Sequence, residues 1–422
     1  MTSKERVAAS LSHTSPDQIA VDFGATPVTG IHVLAIQNLR KFFGLQEKHI
    51  KVTEPYQMLG EVEEDLAEIL GIDTIGISPR NTMFGFPNEN WKEFKTPWEQ
   101  VVLVPGMFNI THNEVGDVLM YPEGDTTVEP SAKMPVNGFF FDALIRQVPI
   151  EEEKLDPIDN LEEFNEISDQ DLEYFRKEVE KHSNSGKAIV ANFGGTAIGD
   201  IALVPGLNLK KPKGIRDVTE WYMSTIMRTD YIHDVFSKQT EIAVSNLEKI
   251  YKQVGNQVDV AFICGTDFGT QDSQFCSSDT FLSLYAPYYR QINNWIHQNT
   301  SWKTFKHSCG AVEPFLKHFI SAGFDIINPV QTNAAGMDPK LLKEKYGNDL
   351  VFWGGGVDTQ KVLPFGTEKE VEAHVLNHCE VLSKDGGYVF NTIHNLQANV
   401  PLNNIISMLR ALDIFNGKQP TF

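Results

Sequence analysis

The sequence predicts an α/β protein of the (β/α)8 TIM-barrel class, and two patterns lead there. From about residue 168 onward, six short runs of buried-type residues alternate with helical segments. That alternation marks a parallel sheet covered by helices. Two earlier runs, Ile19–Phe23 and Asp73–Ser78, bring the strands to eight, the number that closes a barrel. A doubly wound open sheet is the competing arrangement. Its dinucleotide-binding form lacks its main signal, since no Gly-x-Gly-x-x-Gly follows any strand.

Taken in order, an amphipathic helix over Lys4–His13 leads through Pro16 into the first strand. Helices are expected around Gly30–Phe43 and Tyr56–Leu70, the latter with an acidic solvated face at Glu61, Glu63, Glu64 and Asp65. Residues 80–160 are rich in Phe, Pro, Gly and Asn. They read as a β-hairpin insertion in the N-terminal half, with strands at Asp117–Tyr121 and Val136–Phe141. An acidic connection, Glu151–Asp171, precedes the regular part. There the strands are Ala188–Phe193, Val258–Ile263, the run ending at His307, Phe324–Asn328, Leu350–Trp353 and Tyr388–Asn391. Helices lie between them, including a long one over Val218–Val254, and a last helix follows Pro401. The whole chain, 1–422, is expected to form one barrel domain.

Composition narrows the function. Asp and Glu outnumber Lys and Arg by 56 to 36, a formal charge of −20. So acidic a surface repels nucleic acid phosphates and anionic lipid. The N-terminus carries no apolar signal region, and no apolar run reaches the length of about 18 residues that spans a membrane. Four widely spaced cysteines suit a reducing cytoplasm, with free thiols or metal ligands instead of a disulfide framework.

In a barrel, chemistry sits at the C-terminal ends of the strands. The polar residues there are Asp267, Gln271 and Asp272, then His307 and Cys309, then Asn328 and Gln331, then Asp358, and finally Asn391 and His394. Imidazole nitrogen and thiolate sulfur are preferred zinc ligands. Residues i and i+2 of a strand face the same side, so His307 and Cys309 could serve one ion. Each residue also has a plainer reading. A His-x-Cys pair describes equally a packed cysteine beside a hydrogen-bonded histidine, Asp267 and Asp358 could cap helices, and Gln331 could bond loop backbone. Their convergence on one mouth is harder to explain as packing.

An ordered set of motifs adds a resemblance. Gly265-Thr-Asp-Phe-Gly-Thr-Gln271, Pro287 within a helix, and His307-Ser-Cys-Gly310 come first. Gly323-Phe-Asp-Ile-Ile-Asn-Pro-Val-Gln331, Gly355-Gly-Val-Asp358 and Gly386-Gly-Tyr-Val-Phe-Asn-Thr-Ile-His394 follow. Over about residues 185–415 the pattern resembles the uroporphyrinogen decarboxylase superfamily, in particular its zinc-dependent, corrinoid-linked methyltransferases. The resemblance implies a zinc site in which His307 and Cys309 are joined by His394, where that branch carries a second Cys. It also implies substrate-orienting or proton-passing roles for Asp267, Asp272 and Gln331, with Gln271 and Asp358 at the same mouth. The expected reaction moves a methyl group between a small methylated compound and a corrinoid. The corrinoid would ride on a partner protein, because no Asp-x-His-x-x-Gly signature for holding one occurs here. Homodimer assembly is a further implication. Two alternatives stay open: a decarboxylase, and a metal-free barrel with a binding role. The decarboxylases use an Arg-rich N-terminal loop to hold substrate carboxylates, whereas Arg6 and Arg40 are the only arginines before residue 80 here.

Overall fold

The computed structural model describes residues 1–420. Eight parallel strands form the barrel: β1 (Ala20–Val21), β2 (Thr74–Ile77), β3 (Ala188–Ala191), β4 (Val260–Cys264), β5 (Lys303–His307), β6 (Ile326–Asn328), β7 (Val351–Trp353) and β8 (Tyr388–Phe390). The sheet order is β1-β8-β7-β6-β5-β4-β3-β2. The seam between β1 and β2 is drawn together by the Asp73 amide, which donates to Val21 O at 2.8 Å. Gly76 of β2 lies so close to the chain after β1 that a Cβ there would stand 2.3 Å from Ala25 O. The expected (β/α)8 barrel is therefore the observed one.

Strand alternation fills the barrel. Val190, Val260, Phe262, Phe305, Ile326, Val351, Trp353 and Val389 pack in one inner cluster, while their neighbours Ile189, Ala261, Ile327, Phe352 and Phe390 face the helices. The Phe305 ring lies 5.4 Å from both Phe262 and Trp353. Truncating such a buried Phe costs about 3–5 kcal/mol. Helix α1 (Ser3–Leu11), started by a Thr2–Glu5 capping box, plugs the N-terminal end with Val7 and Leu11. Arg6 anchors it there through Asp73 at 2.5 Å. The other end is left for the loops that follow the strands.

The N-terminal half departs from expectation in three places. Tyr56–Leu70 is not one helix: Leu59–Gly60 pairs with Val52–Glu54 as a short ribbon, and the helix covers only Glu64–Ile69. Gly60 is wedged against Ile36 and Ile50, where a Cβ would come within 2.7 Å, so packing of the ribbon overrides helical propensity. The insertion is also more than a hairpin. It holds a four-stranded antiparallel sheet (Ile110–His112, Val118–Met120, Ala132–Met134, Asp142–Ala143) and a separate hairpin, Lys92–Lys95 with Val101–Val104. Val136–Phe141 is not a strand, because Pro135 lacks an amide hydrogen and its carbonyl accepts from Gly138 N in a turn. The Phe residues form an aromatic layer, with Phe84 stacked on Phe86 and Phe108 against Phe141.

The long helix over Val218–Val254 breaks into α2 (Val218–Met227) and α3 (Thr229–Val254). Arg228 stands between them with non-helical backbone, its guanidinium held by Glu152 and Glu220. The four cysteines are free thiols, and no described helix is long and apolar enough to cross a membrane.

Candidate functional site

Strand β5 ends at His307, and the chain then turns through Ser308, Cys309 and Gly310. Gly310 has φ +88°, and a Cβ there would lie 2.4 Å from the backbone of Gly269. The loops after β4 and β5 therefore cross in contact, and Ala311 N donates to Thr270 O at 2.8 Å. After β8 the turn ends at His394, whose φ of +78° is unusual for a residue with a side chain. Strain of that kind is retained where surrounding structure enforces it, often at functional sites.

These turns bring three ligand-type atoms together. One nitrogen of His307, the Cys309 sulfur and one nitrogen of His394 all lie within 4.8 Å of one another. Cys309 Sγ is 3.4 Å from His307 Nε2, and the two imidazole rings stand edge to face at 5.3 Å. His307 Nδ1 meets Asn328 Oδ1 at 2.6 Å. The same amide donates to Trp353 O through Nδ2 at 2.8 Å, so its oxygen faces the imidazole. The His307 proton therefore sits on Nδ1, leaving the Nε2 lone pair toward Cys309 and His394.

Burial sets the charges. It lowers His307 to about 4, against the Asn328 hydrogen bond and with help from the Lys306 charge. His394 is likewise lowered to about 4 by burial and by His307. Both rings are neutral at pH 7, the form that binds metal. The Cys309 thiol is pushed well above its usual value by burial and by the Asp267 carboxylate. Two neutral imidazoles beside a protonated thiol are a donor set a divalent soft-to-borderline cation would complete.

Asp267 accepts from Cys309 N at 2.7 Å and its carboxylate lies 3.7 Å from His307 Nε2. Burial raises its pKa. Gln331 accepts from Gly310 N at 2.7 Å and donates to Gln271 at 3.2 Å. An open cavity of about 370 Å³ lies beside them, with Gln271, Cys309, Gln331, Gln360 and His394 in its wall. Asp358 is buried one layer back, accepting from Asn333 Nδ2, Gln360 N and Lys361 N, so it shapes the loop. Asp272 stands apart: it is exposed at the tip of the β4 turn, and among the described residues its carboxylate has no hydrogen-bond partner.

Three residues at this end went unnoticed in the sequence. Lys306 is fully buried, its ammonium donating to Thr266 O and His307 O beneath the rings of Phe268, Tyr289 and Phe319. A lysine directly before His307, in a strand enclosed on both sides by other strands of the barrel, is the signal that could have shown it. Asp200, after β3, accepts from Ala202 N and Gly265 N, and burial pushes it up to about 6. Tyr222 of α2 stacks on Phe275. No local pattern marks either of these two.

Residues 203–414 match the family described as uroporphyrinogen decarboxylase (URO-D). No curated protein matches the sequence. Among solved structures, a methyltransferase from Methanosarcina mazei superposes with a TM-score of 0.53 at 16% identity, covering 98% of this chain and 99% of that one. A hyperthermophilic β-glucosidase from Pyrococcus furiosus follows at a TM-score of 0.38 and 11% identity, covering 96% of each chain. The first likeness extends the barrel assignment over nearly the whole chain, and the family match spans half of it. The chain belongs to the uroporphyrinogen decarboxylase (URO-D) family.

Proposed function

We propose that the protein is a methyltransferase that moves a methyl group between a small methylated compound, such as a methyl ether, and the corrinoid of a separate partner protein. Zinc is the proposed metal, held by His307, Cys309 and His394. The observation that carries this reading is the meeting of two imidazole nitrogens and a thiol within 4.8 Å at the barrel mouth. The fold shared with a methyltransferase is in keeping with it.

When bound, zinc would supply Lewis acidity to an oxygen or sulfur of the substrate. The chain's own residues do the rest. Asn328 holds the tautomer of His307. Asp267 and Gln331 pin the amides of Cys309 and Gly310, which fixes the thiol in place. Gln271 supports Gln331, Asp358 supports the cavity wall from behind, and Asp272 is assigned to a substrate at the exposed rim.

Decarboxylation of a polycarboxylate is the competing reading, and the arginines count against it. Arg6 is bound to Asp17 and Asp73 at the closed end, and Arg40 is forked onto Asp65. Neither is available to hold substrate carboxylates. The test is spectroscopic: with a Co(I) corrinoid protein and methylated compounds, the protein should convert the Co(I) spectrum to that of methyl-Co(III). Conversion of uroporphyrinogen to coproporphyrinogen, with no corrinoid methylation, would overturn the assignment.

A further inference from the structure

Of the three ligand-type residues, His394 is the one with a left-handed backbone, at φ +78°, a conformation that costs a residue with a side chain. The chain is pinned on both sides of it. Before it, Ile393 N donates to Val357 O at 3.1 Å, and Ile393 O accepts from Thr359 Oγ1 at 2.6 Å, both in the turn after β7. After it comes Asn395, 1% exposed, whose amide uses both of its hydrogens. Asn395 Oδ1 accepts from Gly30 N at 2.5 Å, while Nδ2 donates to Pro27 O at 3.0 Å and to Gln57 Oε1 at 2.8 Å. Gln57 is fixed in turn, donating through Nε2 to the same Pro27 O at 2.9 Å. Leu396 then donates to Gly30 O and accepts from His32 N.

We propose that Asn395 is a positioning residue: its three hydrogen bonds tie the turn after β8 to the loop after β1 and to the 52–60 ribbon, and so hold His394 in the conformation that brings its nitrogen to His307 and Cys309. This rests on the zinc site proposed above. Freed from those bonds, His394 would relax toward negative φ, and its imidazole would swing with the backbone. Zinc would then have to restore the left-handed turn as it binds. Apparent affinity falls in proportion to the fraction of molecules that still hold the binding conformation. His307 and Cys309 are held separately, by Asn328 and Asp267 on neighbouring strand ends. Asn395 therefore acts on one ligand of the three.

The experiment measures zinc affinity by competition with a chromophoric chelator in wild type, Asn395→Ala and Asn293→Ala, and the absorption of each with Co(II) in place of zinc. Asn293 is the control. It is also buried and donates to a backbone carbonyl, Ala322 O at 2.8 Å, but at the opposite end of the barrel, ahead of β6. Asn395→Ala is expected to bind zinc about tenfold more weakly, the population lost when a strained backbone is no longer enforced. Its Co(II) spectrum should keep the thiolate-to-metal band from Cys309. The d–d bands should lose intensity as His394 leaves and water takes its place. Asn293→Ala should match wild type in both measurements, whatever its melting temperature. Unchanged affinity in Asn395→Ala, loss of its thiolate band, or an equal fall in Asn293→Ala would overturn the proposal. Should Asn395→Ala fail to fold, Gln57→Leu removes one of the three bonds and is expected to weaken zinc binding about threefold; unchanged affinity there would overturn it too. Wild type that takes up no zinc would overturn the zinc reading along with this one, whereas a tight wild-type site and an unweakened variant would overturn this one alone.

Discussion

His307 Nδ1 lies 2.6 Å from Asn328 Oδ1, and that contact decides which imidazole nitrogen faces Cys309 and His394. The amide is itself oriented by its bond to Trp353 O, so ring, amide and strand β7 form one relay. Groups that orient a metal-binding imidazole typically account for 10- to 100-fold in metal affinity. Asn328→Leu is therefore expected to weaken zinc binding by about 10–100-fold, measured by competition with a chromophoric chelator, with far-UV circular dichroism unchanged. Equal affinity in the two proteins would show that the contact plays no part.

Cys309→Ser and His394→Ala should each remove most of the bound zinc, read by elemental analysis. The fold should survive, because the barrel is stabilised by its inner and outer apolar clusters, unlike small domains that fold only on their metal. Helicity lost in proportion to zinc would mark the ion as structural.

Zinc uptake should release one proton per ion near pH 7.5. His307 and His394, both held at about 4 by burial, have no proton to give. The Cys309 thiol, raised by burial and Asp267, has one. Affinity should accordingly climb about tenfold per pH unit from 6 to 8, and fall more steeply below about pH 5 as the imidazoles begin to protonate. An indicator dye in weak buffer counts the protons; two protons, or none, would contradict this ligand set.

Gly76→Ala tests the seam of the barrel. The new methyl would stand 2.3 Å from Ala25 O, a backbone atom, so β1 or β2 must shift. A loss of about 3 kcal/mol in denaturant unfolding is expected, at the upper end of overpacking costs. A loss under about 1 kcal/mol would mean the seam yields easily.

What the sequence determined by itself is whatever depends on neighbours along the chain. Strand–helix alternation is local, and it specified the barrel's eight strands because nearly every strand is a short apolar run flanked by a helix, β5 (Lys303–His307) excepted. His307 and Cys309 are two residues apart, so their meeting was legible as well. His394 was legible only as a polar residue at a strand end and through family resemblance; the distance that joins it to the pair comes from closure of the sheet. The accessory sheet and the separate Leu59–Gly60 ribbon depart from the local pattern because each hangs on a single residue, Pro135 in the one and Gly60 in the other, whose effect depends on what packs beside it. Asp200, Tyr222 and the buried ammonium of Lys306 reach the mouth from different elements, and nothing in their local sequence announces it. Periodicity encodes which face of an element is buried. It does not encode which polar group from a distant turn will be pressed against it, and that was decided when the barrel closed and the loops after β3, β4, β5 and β8 came to share one end.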